Sequence, residues 1–185
     1  MMMGLPPELQ SALLGRRVVF LRGRLLDETL SNNVIAQLLL VSRTSADDTI
    51  QLYVDSPGGS IAAALSVYDV VQSSSSPVST TCIGTCGGAS VLVLAGGAAG
   101  RRFALPHARI HLTQESVEVP AGNPTQAAEP IRQQHRWQTA LAKHITHSET
   151  QLAKDLQLGQ WLSAAEARDY GLVDGIIPGV PAGPG

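Results

Sequence analysis

The sequence predicts an α/β domain of repeated strand-helix units around a mostly parallel sheet. Two observations carry this: short apolar, β-rich runs at 18–21, 50–54 and 78–83, and stretches of helical spacing at 26–41 and 60–72 between them. Asp27 and Ser60 stand where side chains cap those two helices. A third helix should start near Gly88 and run through Ala95, its glycines and alanines allowing close packing on the sheet. A sharp turn from strand into helix is where a hydrolase raises its nucleophile. Residues 109–112 read as a strand, and 114–125, alternating and then broken by two prolines and a glycine, as a strand followed by a loop. A long polar helix follows from about 126 to 155, with Pro130 near its first turn, where a missing amide is tolerated. The Pro/Gly-rich tail at 178–185 reads as disordered, and neither repeats nor a second domain interrupt residues 1–185.

Composition narrows the function classes. Of the 185 residues 44% are apolar and only 15% charged, which suits a subunit that hides much of its surface. A net charge of -2 without a basic cluster argues against nucleic acid as a partner. No positive segment followed by a long apolar stretch opens the chain, and no run is long enough for a membrane span, so the expected location is cytoplasmic, away from membranes. Cys82 and Cys86 have no second Cys/His pair at ligand spacing and read as small buried hydrophobes. His144 and His147 fall one helical turn apart without a carboxylate-rich partner motif, which favours an exposed polar face over a metal grip. Neither metal nor cofactor is expected.

Chemistry concentrates in two segments. Thr81-Cys-Ile-Gly-Thr-Cys-Gly-Gly-Ala-Ser90 has the frame of a serine-peptidase nucleophile turn, and Tyr53-Val-Asp-Ser-Pro-Gly-Gly-Ser60 ends an apolar strand in two glycines whose bare amides can face an oxyanion. Together they resemble the Clp peptidase (ClpP) family. The resemblance extends through Leu13-Leu-Gly-Arg-Arg-Val-Val-Phe20, Ala36-Gln37, Val67-Tyr-Asp69, Gly100-Arg-Arg-Phe-Ala-Leu-Pro-His-Ala-Arg109 and Ser163-Ala-Ala-Glu-Ala-Arg-Asp-Tyr-Gly-Leu-Val-Asp174. It implies a ClpP/crotonase-like fold of βαβ units with a protruding strand-helix handle at 114–155, and assembly into heptameric rings paired as a tetradecamer.

Laid over the family's motifs, the positions of its Ser, His and Asp fall on Gly88, Thr113 and Gly159. A glycine has no oxygen to attack with, a threonine is no imidazole base, and the carboxylate that holds the base is missing. The oxyanion-hole positions fall on Gly59 and Ala89 and survive. Displaced replacements diverge: Ser90 sits about 200° round a helix from Gly88, and His111 about 6.6 Å along the strand from Thr113. Cys86 lies at an apolar strand end with no cation near in sequence, the setting of an inert thiol.

The family docks a hexameric AAA+ unfoldase of the Clp type through apolar pockets, to which Tyr53, Ile83, Phe103, Leu105 and Ile177 correspond in character. Gln51, Ser73 and Thr81 are polar where the family has aromatic or aliphatic anchors, which weakens docking on this face unless Ser73-Ser-Ser-Ser-Pro77 is merely a solvated turn. The family's charged pair linking ring contact to active-site order falls on Gln157 and Leu158, and the segment at 1–12 is short for axial pore gating. The resulting expectation is a triad-degenerate, ClpR-like subunit that builds a ring with an active ClpP paralog, possessing no peptidase activity of its own. The alternatives are a serine hydrolase rebuilt from Ser90 and His111, a crotonase-like acyl-CoA enzyme using the Gly58-Gly59 amides, and a homomeric pseudoenzyme that binds peptides.

Overall fold

The computed structural model describes residues 6–115 and 124–178. Its sheet has seven strands: β1 (Val18–Arg22), β2 (Ile50–Ser56), β3 (Val78–Gly87), β4 (Arg102–Ala104), β5 (Arg109–Leu112), β6 (Gln160–Ser163) and β7 (Gly175–Ile176). The order is β1-β2-β3-β4-β7, with β5 also on β3 and β6 on β5. Every pairing is parallel except β5 with β6. The mixed α/β architecture and mostly parallel sheet are those the sequence predicts.

The helices are α1 (Pro7–Gly15), α2 (Glu28–Ser42), α3 (Ile61–Ser73), α4 (Ser90–Ala95), α5 (Pro124–Ala142), α6 (Glu149–Leu158) and α7 (Ala164–Tyr170). Asp27 accepts from the Leu30 amide and Ser60 from the Ala63 amide, so both expected caps form. The core packs Val19, Leu21, Leu52 and Val54 of the sheet with Val34 and Leu38 of α2, Val67 of α3 and the wholly buried α4.

β3 is the hub. Its first half, Thr80–Cys82, pairs with β4, and its last, Thr85–Gly87, pairs with β5 on the same side. Between the two halves β3 carries extra residues relative to β2, since Val54 faces Cys82 but Ser56 already faces Cys86. Asp55 holds this bulge: its carboxylate accepts the Thr85 amide at 3.0 Å and pairs with Arg22 at 3.1 Å. Strand β3 therefore runs four residues past the apolar run at 78–83 that announced it.

Several expectations need correction. The single helix from 126 to 155 is two, α5 and α6, because Ser148 caps a new helix by accepting the Gln151 amide at 3.2 Å. α5 starts at Pro124, so Pro130 lies in its second turn rather than its first, where its missing N–H removes a bond of the ladder. The turn at 73–77 is only partly solvated: Ser76 is buried, donating to Ser45 O at 2.5 Å and accepting from Arg17 at 2.7 Å. The strand expected beyond Glu115 and the tail after Pro178 lie outside the described residues.

His144 and His147 lie between α5 and α6 and share no helix face. His144 meets the Tyr68 hydroxyl at 2.9 Å, and His147 stacks on Tyr170 at 4.1 Å. Burial, then the charges of Arg102 and Lys143, pushes the His144 pKa down. The fold thus favours the neutral ring. Its contribution is present above the ordinary histidine pKa of about 6.5 and is lost as pH falls through the depressed folded value. Urea unfolding at pH 7.5 and pH 5 should show a larger acid loss of stability for the native chain than for His144→Gln. Equal losses would contradict this.

Candidate functional site

Two tight turns face each other where β2 and β3 end. In the first, Gly58 and Gly59 adopt φ of 125° and 140°. A Cβ on Gly59 would come within 2.5 Å of Leu26 O and 2.8 Å of Leu26 N, so no side chain fits there. Leu26 donates to Gly58 O at 2.7 Å and Ser60 donates back to Leu26 O at 2.8 Å, fixing the turn while leaving the Gly59 amide free of the ladder. In the second turn Gly88 takes φ 46° and donates to His111 O at 3.1 Å. The next peptide is held from behind, because the fully buried Trp137 of α5 donates its indole N–H to Ala89 O at 3.2 Å. The Ala89 N–H, in the preceding peptide, is left free for a separate acceptor.

Both free amides end on one atom. Gly59 N and Ala89 N each donate to Glu115 Oε1 at 2.7 Å. These short, charge-assisted bonds reach the oxygen from two directions, an arrangement suited to holding a negative charge. Glu115 reaches it because β5 hands the chain on through Thr113 and Gln114, whose amide donates to Leu156 O at 3.1 Å. The glycine at 88 makes the room: a Cβ there would fall on the Glu115 carboxylate, with Cδ only 2.7 Å away. The pair that sequence reasoning left open to polarise a carbonyl is thus occupied by the chain itself. Glu115 was missed because it was read by strand alternation. The available signal was an acid two residues beyond Thr113, with a side-chain-free glycine at 88 able to admit it.

Gly159 caps α6 in the left-handed region at φ 66°. A Cβ on it would lie 3.6 Å from His111 Nε2 and 3.8 Å from Thr113 Oγ1. The cap is anchored by buried Asp155, whose carboxylate accepts the Tyr170 hydroxyl at 2.6 Å and Gln151 at 2.8 Å. The fold therefore gathers Thr113 and Gly159 beside His111, and seats Gly88 against Glu115. It does not assemble a substitute dyad. Ser90 is fully buried and its hydroxyl meets no hydrogen-bond partner among the described residues, while the His111 ring lies flat on Trp161 at 4.2 Å. Cys86 is also fully buried; burial first, then Cys82 and the charge of Asp55, pushes its thiol pKa well up, away from a reactive thiolate. Among the described residues no group of three His, Cys, Asp or Glu could hold a metal ion, and no helix is long and apolar enough to cross a membrane.

The docking candidates are spread across β2, β3, β4 and the residues that leave β4 and β7. Register places Phe20, Tyr53, Thr81, Phe103 and Gly175 in one row across β1, β2, β3, β4 and β7. Phe20 and Tyr53 stack at 5.3 Å, and Thr81 interrupts the aromatic row. Ile83 follows on β3, while Leu105 and Ile177 leave β4 and β7, their amides donating to Cys82 O and Ala104 O. Two open hollows of about 600 Å³ lie elsewhere, one against Ser74–Ser76 and Lys143 and one between α3 and α5.

A family model described as Clp protease matches residues 7–179. A Streptomyces coelicolor protein named as ATP-dependent Clp protease proteolytic subunit-like is 42% identical over 174 residues, covering 91% of this chain and 82% of that protein. ATP-dependent Clp protease proteolytic subunit 1 of Thermobifida fusca is 36% identical, over 88% of this chain and 74% of its own length. Its namesake in Rhodopirellula baltica is 37% identical, over 92% and 76%.

The Gly88–Glu115 contact yields a coupled stability prediction. Gly88→Ser puts a side chain into the left-handed region and into the carboxylate, and should cost about 2–4 kcal/mol. Adding Glu115→Ala should return about 1 kcal/mol or more of that loss, since the collision is removed. Additive losses in urea unfolding would show that the two positions do not meet.

Proposed function

The chain belongs to the Clp protease family, and we propose that its part there is architectural: a ring-building subunit that performs no peptide hydrolysis itself. One observation carries the reading. The site where a nucleophile and an oxyanion would meet holds glycine and the Glu115 carboxylate. Acyl transfer needs a hydroxyl, a base to take its proton, a group to hold the base and donors for the oxyanion. Here Gly88, Thr113 and Gly159 supply none of the first three, and the donors Gly59 and Ala89 are engaged.

The partners in this reading are an active paralog carrying Ser, His and Asp in a mixed particle, and a Clp-type AAA+ unfoldase that engages at least the paralog's face, in the cytoplasm. Tyr53, Ile83, Phe103, Leu105 and Ile177 are the proposed anchors on this chain's face. The rebuilt Ser90/His111 hydrolase lacks support, because Ser90 Oγ meets no hydrogen-bond partner among the described residues and the His111 ring is stacked on Trp161. The acyl-CoA alternative needs the Gly59 amide, which Glu115 already takes.

The purified chain should neither hydrolyse short fluorogenic peptides nor be labelled by serine-directed phosphonates, as followed by intact mass. Stoichiometric labelling at Ser90 would overturn the reading. Mixed with the active paralog, it should sediment as a large particle containing both chains. A 19.4 kDa species alone under both conditions would remove the architectural role.

A further inference from the structure

We propose that the Gly59 and Ala89 amides form a carboxylate-binding site, kept loaded by the chain's own Glu115. This deepens the architectural reading and rests on it in one respect: no acyl chemistry competes for the site. The two N–H groups come from separate turns and converge on one oxygen at 2.7 Å each. Neither turn depends on Glu115 for its shape. The first is pinned by Leu26 on both sides of Gly59, the second by His111 O ahead of Ala89 and by the Trp137 indole behind it. The donors therefore stay aimed when the side chain is gone, as a preorganised anion seat requires.

The seat is shaped for a planar carboxyl group. A side chain at 88 would collide with Glu115 Oε1 and with the carboxyl carbon, which lies 2.7 Å from where that Cβ would stand, so only glycine leaves room for the whole group. Loss of the nucleophile and gain of the carboxylate are thus one steric event. The ligand class is a carboxylate, whether from an aspartate or glutamate side chain or from the C-terminus of a peptide. In an assembly whose partner subunits cut peptides, each product carries a new C-terminal carboxylate. Glu115 holds the seat against such ends at an effective concentration that a free peptide does not reach.

Acetate is the probe. Glu115→Ala should melt lower than the native chain, and 200 mM sodium acetate should raise its Tm by about 2–5 °C over equal concentrations of sodium chloride or of neutral, isosteric acetamide. The native chain should show no acetate-specific gain. A response of Glu115→Ala to acetate no larger than to acetamide, or an equal gain in the native chain, would overturn the proposal. Should Glu115→Ala fail to fold, Glu115→Gln keeps the shape and removes the charge; the Gly59 and Ala89 amides should then exchange hydrogen several-fold faster than in the native chain, and unchanged exchange would overturn it. Peptide hydrolysis by either variant would instead contradict the architectural reading, so the two ideas fail separately.

Discussion

One oxygen atom, Glu115 Oε1, joins the ends of three strands. It accepts from the turn after β2 and from the turn after β3, and it is delivered by the chain leaving β5. In a serine peptidase those turns converge on a charge that exists only during reaction. Here they converge on a permanent side chain. The bonds are charge-assisted and sheltered, so breaking them without replacement would strand two amides and a carboxylate. That penalty holds the end of β5 against the glycine turns in every copy of the chain.

The geometry behind this contact begins in β3. Its bulge, pinned by Asp55, lets one strand pair with β4 and then with β5, bringing His111 opposite Gly87. Strand β6 then pairs back on β5, with Trp161 opposite His111, and places Gly159 beside Thr113. The left-handed cap at Gly159 thus stands beside both His111 and Thr113. The indole of Trp137 extends the same arrangement to α5, linking that helix to the Ala89 carbonyl.

Much of this was legible in the sequence because it is local. Asp27 and Ser60 cap helices by bonding three residues ahead, and apolar runs mark β1, β2 and the start of β3. Motif overlay singles out Gly88, Thr113 and Gly159; in the fold Gly159 lies near Thr113 and His111, while Gly88 meets Glu115. The rest depends on long-range partners. Glu115 looked like part of an alternating strand, and only the approach of Gly59 and Ala89, 56 and 26 residues away, reveals its acceptor role. His144 and His147 have the spacing of a helical pair, but Ser148 caps a new helix after them, and their partners Tyr68 and Tyr170 come from α3 and α7. The short strands β4, β6 and β7 carry too few residues to show a period of their own.

The most direct measurement is a high-resolution density map of the particle that contains this chain, isolated from its native source. The account predicts that copies of this chain stand beside copies of a paralog with Ser, His and Asp in place, and that density for the Glu115 carboxylate sits within hydrogen-bond reach of both Gly59 N and Ala89 N in every copy. A particle made of this chain alone, with Glu115 turned away and the two amides facing the chamber, would contradict it.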